Sequence, residues 1–170
     1  MPTELKGASQ LRKALKQFSP DLDKETREEM VGFLKPLVKK ARGFMPSNND
    51  MPSGFVGTAE PGRFPKYDAS LARRGVGYKL TPTKPNRQGW VQTVSIHNKT
   101  VGGIIYEWSG RKSTSKFVSN LPGMMAGSGK MQGRAMFKAY KEDEGRAKVG
   151  VIRALEKAAA KFNARGDLNG

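Results

Sequence analysis

Two apolar stripes at helical spacing stand at opposite ends of this 170-residue chain, and neither is stable unless buried. Near the start, Leu5, Ala8, Leu11, Leu15 and Phe18 form one row, and Met30, Leu34, Leu37, Ala41 and Phe44 form a second. Near the end, Met136, Phe137 and Tyr140 lead into Val149, Ile152, Leu155, Ala159 and Phe162. Stripes at both ends need a common partner, and the β-like middle of the chain is the one available. The expected fold is therefore α+β, a single domain over residues 1–170. It has a small antiparallel sheet between about residues 76 and 108, packed by N- and C-terminal helices, with long extended loops.

Local signals set the expected boundaries. Ser19-Pro20 reads as an N-cap followed by proline at the first helical position. Asp21, Asp23, Glu25, Glu28 and Glu29 crowd the early turns, and Lys39, Lys40 and Arg42 the last, each with the sign that suits the helix dipole. Pro36 interrupts this helix, and its ring presses on the carbonyl of Gly32, so a kink is expected. In the final helix, Gly145 and Gly150 mark divisions, Lys161 and Arg165 lie near the end, and Gly166 is the stop.

The middle divides into strands and loops. Val76 to Leu80 reads as a short strand. Trp90 to His97 reads as another, with Trp90, Val94 and Ile96 on one face and Thr93, Ser95 and His97 on the other. His97 to Thr100 reads as a hairpin turn and Val101 to Trp108 as the returning strand. Thr81 to Gln88 is a flexible loop, and Asn120 to Gly133, rich in glycine and methionine, is expected to be irregular. Residues 45–66 hold Pro46, Pro52, Pro61 and Pro65 with Gly54, Gly57 and Gly62. Such a segment has little apolar area to offset its ordering entropy, so it is expected to be a flexible arm ordered by neighbouring subunits.

Charge narrows the partners. The formal net charge is +16. Between Arg63 and Lys116 eleven basic residues face two acids, a net of +9 in one segment. A field of that sign favours polyanions and acidic protein surfaces. With no cysteine, disulfides and thiolate chemistry are excluded. No apolar run approaches the roughly 18 residues a membrane span needs, so the chain is expected to be soluble, unexported and without a membrane partner.

No catalytic constellation assembles from the residues present. Gly123 to Met131 resembles a phosphate-cradling loop, yet Met124 stands where the first glycine is required and Met131 where the hydroxyl belongs. His97 is the single histidine and has no spaced co-ligands, so a turn residue at a strand end is the expectation. Glu142, Asp143 and Glu144 suit a solvated helix face or an N-cap better than a cation site. Trp90, Trp108, Tyr67, Tyr78 and Phe64 interleave with basic residues, a pattern that serves base stacking in some proteins and core packing in more. The expectation is no enzyme, no catalytic residues, no cofactor and no metal.

Certain segments, taken in order, resemble a known family. They are Ala41-Arg42, Pro46, Ser53-Gly54, Arg73-Arg74-Gly75-Val76, Ile104 to Gly110, and Gly133 to Tyr140 followed by an amphipathic helix. This order resembles the siphophage neck and tail-completion proteins, minor tail components, in the versions found in phages of actinobacteria. The most specific pieces are Tyr106-Glu107-Trp108-Ser109-Gly110 and Gly133-Arg134-Ala135-Met136-Phe137. The stretch between Pro46 and Ser53 departs from the pattern by its length. The resemblance implies a structural virion protein of a long-tailed bacteriophage, made in the host cytoplasm. It implies a homo-oligomeric ring at the head–tail joint, serving tail completion, tail-to-head joining or tail termination. Its implied partners are neighbouring neck and tail-tube proteins, with packaged DNA touched through phosphates. Arg73, Arg74, Lys79, Lys84, Arg87, Arg111, Lys112 and Lys116 are then the candidates to face a subunit interface or DNA. Tyr106, Glu107, Trp108 and Gly110 are the structural motif, with Glu107 pairing an arginine or capping backbone donors. A non-specific DNA-binding protein is the competing class.

Overall fold

A computed structural model describes residues 7–167 apart from 59, 61, 62, 90, 113 and 130. Leu5, Pro61, Gly62, Trp90 and Lys130 therefore lie outside the described residues. The fold is α+β, with helices predominating over two small two-stranded sheets. The chain divides into two compact units. One holds the chain as far as Lys35, then Leu80–Ser95 and the chain from Gly145; the other holds Pro36–Lys79 and Ile96–Glu144.

In the first unit the terminal stripes close on each other, not on a sheet. Helix α1 (Ala8–Phe18), the early part of α2 (Pro20–Gly43) and α7 (Arg146–Asp167) supply the core. Ala8, Met30, Ala154 and Leu155 form one cluster, joined by Leu80, Val94 and Val151. Leu15, Leu22 and Ala158 form a second, joined by Leu11 and Phe162. Both outer helices are rotated from the expected rows. Phe18 is exposed while Arg12 is buried, its guanidinium donating to the Leu80 carbonyl. Val149 is exposed while Ala154 and Ala158 are buried. Small residues win because they let helices approach closely: a Cβ at Gly150 would run into the Phe33 ring. Gly150 therefore packs and does not divide the helix. The division falls at Glu144 and Gly145, both with positive φ (53° and 79°). The loop after Leu80 is closed by its own bonds, Thr83 N–H to the Gln92 carbonyl and Gln92 N–H to Thr83 Oγ1, each 3.0 Å.

In the second unit α2 continues unbroken through Pro36, burying Leu37, Val38 and Ala41. Next come α3 (Ala69–Gly75), β1 (Val76–Lys79) and its partner β2 (Ser95–Asn98). The expected strand beginning at residue 90 is thus shorter, and its expected return does not form. Val101–Trp108 is a helix, α4. Asn98 turns the chain: its Oδ1 accepts from the Thr100 N–H at 2.9 Å and its Nδ2 donates to the Ala72 carbonyl at 3.0 Å. Thr100 Oγ1 then accepts the Gly103 N–H at 3.2 Å, an N-cap that starts a helix where a hairpin was expected. Gly102, Gly103, Tyr106 and Glu107 form the buried face of α4. A Cβ at Gly102 would sit 2.6 Å from the Lys66 carbonyl oxygen, so only glycine allows this approach.

After α5 (Lys116–Ser119), β3 (Ala126–Ser128) and β4 (Met131–Gly133) form an antiparallel hairpin with Ala126 opposite Gly133. Residues 120–133 are therefore not irregular throughout. Helix α6 (Met136–Glu142) follows.

The expected flexible arm is folded on its own chain. Met45, Met51 and Phe55 are buried, and Val56 bridges Tyr67. Ser47 and Asp50 cap a short 3-10 turn, and Asn48 Oδ1 accepts the Ala69 N–H at 2.8 Å. Phe55 packs its ring against Phe64, Tyr67 and Phe117. Four aromatic rings supply the apolar area that the proline and glycine count hides.

Candidate functional site

The segments Tyr106–Gly110 and Gly133–Phe137 meet in the second unit, and Glu107 joins them. Its side chain is fully buried. Oε2 accepts the N–H groups of Ala135 and Met136 at 2.7 and 3.0 Å, and Oε1 that of Phe137 at 3.0 Å. These are the orphan donors at the start of α6, so the carboxylate of α4 serves as that helix's cap. Of the two roles open to Glu107, this is the capping of backbone donors. Gly133 lies against the same carboxylate, and a Cβ there would collide with Glu107 Oε1.

Neighbouring side chains clamp the same junction. Arg134 is buried and donates to the Gly123 and Ser109 carbonyls. Arg111 donates from Nε to the Gln132 carbonyl at 2.7 Å, and its guanidinium lies 5.0 Å from the Trp108 ring and 5.1 Å from the Phe137 ring. Tyr106 donates to the Pro122 carbonyl at 3.2 Å, and its phenol is pushed up to about 12, chiefly by burial. Gly110 follows with φ +99°, a conformation that favours glycine. The sequence held the signal for this clasp in the pair Glu107 and Gly133, one long acid and one missing side chain, but not their proximity.

The eight basic candidates separate. Arg73 is committed within the unit, donating from Nε and Nη2 to the Met45 carbonyl. Arg111 is half-buried in the clasp. Arg74, Lys79, Lys112 and Lys116 are exposed in the second unit, whereas Lys84 and Arg87 are exposed in the first. They are not one patch by membership of one unit.

Other readings from sequence also find their places. The glycine-rich stretch is the β3–β4 hairpin, and the helix start that follows it is filled by Glu107 and so is closed to a phosphate. His97 lies within β2 and not in a turn; burial, then Lys99 and Lys79, lower its pKa. Tyr67 is buried and Phe64 joins the aromatic cluster. Among the described residues no cluster of potential metal ligands occurs, and no helix is long and apolar enough to cross a membrane.

An exposed ladder in the first unit escaped the sequence reading. Asp21 pairs with Arg165, Glu25 with Lys161 and Glu29 with Lys157. Each step moves four residues forward on α2 and four back on α7, so the two rows of charge are complementary and antiparallel. Asp21 and Glu25 are held below the usual carboxylate range, first by the hydrogen bonds from Arg165 and Lys161.

Compared with known protein families, characterised proteins and solved structures, the chain finds no match.

Proposed function

We propose that this chain is a structural subunit of the head–tail joint of a long-tailed bacteriophage, assembled as a homo-oligomeric ring and without catalysis. One observation carries the reading. The segments on which the resemblance rests, Tyr106–Gly110 and Gly133–Tyr140, interlock through Glu107. Tyr106, Glu107 and Arg134 spend their polar groups on backbone, as befits a motif that keeps a subunit's shape. Exposed Arg74, Lys79, Lys112 and Lys116 then offer charge to an acidic neighbouring ring or to phosphates. The partners are neighbouring neck and tail-tube proteins, with packaged DNA as a further contact.

The test uses the purified chain and assembled particles. Native mass spectrometry and electron microscopy should find closed rings, and charge reversal at Arg74 and Lys112 should lower the count of tailed particles. Arg73 and Arg111 are left intact because they hold the fold. A chain that stays monomeric or dimeric and shifts random duplex DNA at physiological salt would instead make it a free DNA-binding protein, the reading its +16 charge permits.

A further inference from the structure

Helix α4 is built inside out. Its only charged residue, Glu107, points inward and is fully buried, alongside Gly102, Gly103 and Tyr106. Its outer face is Val101, Ile104, Ile105 and Trp108, the i, i+3, i+4, i+7 series of a docking helix. Val101 is 57% exposed and Trp108 51%. The adjoining α3 packs against α4 and adds Leu71, also 51% exposed. A helix that is apolar on its solvent side needs a partner to cover it.

Charge says what kind of partner. Residues 68–75 and 99–112 contain five bases, Arg73, Arg74, Lys99, Arg111 and Lys112, and two acids, Asp68 and Glu107. Both acids are engaged with backbone, Asp68 accepting the Leu71 N–H at 2.7 Å and Glu107 capping α6. Within the two segments that carry the apolar strip, bases therefore outnumber acids and neither carboxylate is uncommitted. A second copy would bring the same excess of bases.

We propose that the outer face of α4 is a docking surface for an acidic amphipathic helix of a different protein. The inference stands on α4 itself and does not require the virion role. Leucine-type side chains of the partner cover Ile104 and Trp108, and its flanking carboxylates meet Arg74, Lys99 and Lys112. Coulomb attraction steers the encounter and the apolar strip holds it.

The experiment is a titration of the full chain with a fluorescein-labelled synthetic helix carrying leucines at i, i+3, i+4 flanked by glutamates. Controls are a scrambled peptide of the same composition, a lysine-for-glutamate version, and the unlabelled chain in sedimentation. Saturable binding of the Leu/Glu helix alone is expected. Ile104→Ser should weaken it about tenfold, and the pair Lys99→Glu and Lys112→Glu should weaken it and remove its salt dependence. Lys99 and Lys112 are exposed but Ile104 is part-buried, so circular dichroism and the urea midpoint are read for each variant, and Val101→Ser, at an exposed position, should weaken docking with both unchanged, which separates lost docking from lost folding. Failure of the Leu/Glu helix to bind, equal binding of the scrambled peptide, or indifference to Ile104→Ser would each overturn the proposal. So would a wild-type dimer that Ile104→Ser dissociates, which would give the face to a second copy.

Discussion

The two units use carboxylates in opposite ways. In the first, Asp21, Glu25 and Glu29 sit at the surface and meet mobile cations across an antiparallel helix pair. In the second, Glu107 is removed from water and meets three fixed backbone donors. Surface pairs gain little, because water and salt screen them and long side chains lose freedom. A buried carboxylate is costly to desolvate, so it persists only where its partners are already in place. The ladder thus adds to a helix pair that apolar residues already hold, whereas the clasp ties α4 to the start of α6 through three bonds.

Removing the buried acid should have the largest effect. Glu107→Leu leaves three N–H groups without an acceptor and should cost about 3–5 kcal/mol in urea unfolding. A loss below about 1 kcal/mol would show that water replaces the carboxylate without penalty. Gly133→Ala comes next, at about 1–3 kcal/mol, because the new Cβ meets a carboxylate that three bonds prevent from moving. Gly150→Ala presses on Phe33 in the first unit, and the new Cβ meets Cγ at the root of the ring, so the whole side chain must move toward solvent. Alanine suits a helix better than glycine by about 1 kcal/mol, which offsets part of the clash, so this variant should lose about 1–2 kcal/mol.

Breaking the ladder should matter least. The double variant Lys161→Ala and Arg165→Ala should lower the thermal midpoint slightly in dilute buffer, and the difference should vanish near about 1 M salt. Acid should act in the same sense. The carboxyls of Asp21 and Glu25 bind protons less readily in the folded chain than in the unfolded one. Their contribution is therefore complete above the ordinary carboxylate pKa of about 4 and is lost as pH falls below it. Unfolding curves of wild type and double variant should converge there; curves that stay apart would assign the stability to some other contact.

Legibility in the sequence followed the kind of signal. Helices α1, α2 and α7 are readable because Ala8, Leu11 and Leu15, then Met30, Leu34 and Leu37, then Ile152, Leu155 and Ala159 recur at helical spacing within each. Which side of α7 faces inward was not, since hydrophobicity ranks Val149 above Gly150 while close packing ranks them the other way. Helix α4 misled most. Val101, Ile104, Ile105, Tyr106 and Trp108 are residues that favour strands, and intrinsic preference gave way to the Thr100 cap and to the two glycines that admit Tyr67 and Asn98. The folding of the arm is not legible in sequence because its rings, Phe55 and Phe64, meet Tyr67 and Phe117 only through tertiary contact. The clasp is half legible: the two motifs stand in the sequence, which leaves Glu107 either to pair an arginine or to cap backbone donors and does not show that one motif caps the other.

That last point has a kinetic consequence. Helix α6 has seven residues, well short of the roughly 12–15 that an isolated helix needs in water. Its first turn is nucleated by a residue 28 positions earlier, on α4. Closing a loop of that size costs entropy before any helical bond forms. The amides of Ala135, Met136 and Phe137 should therefore gain protection together, late, and only once α4 exists. Their exchange rates form a clock for the docking of two elements that are far apart along the chain.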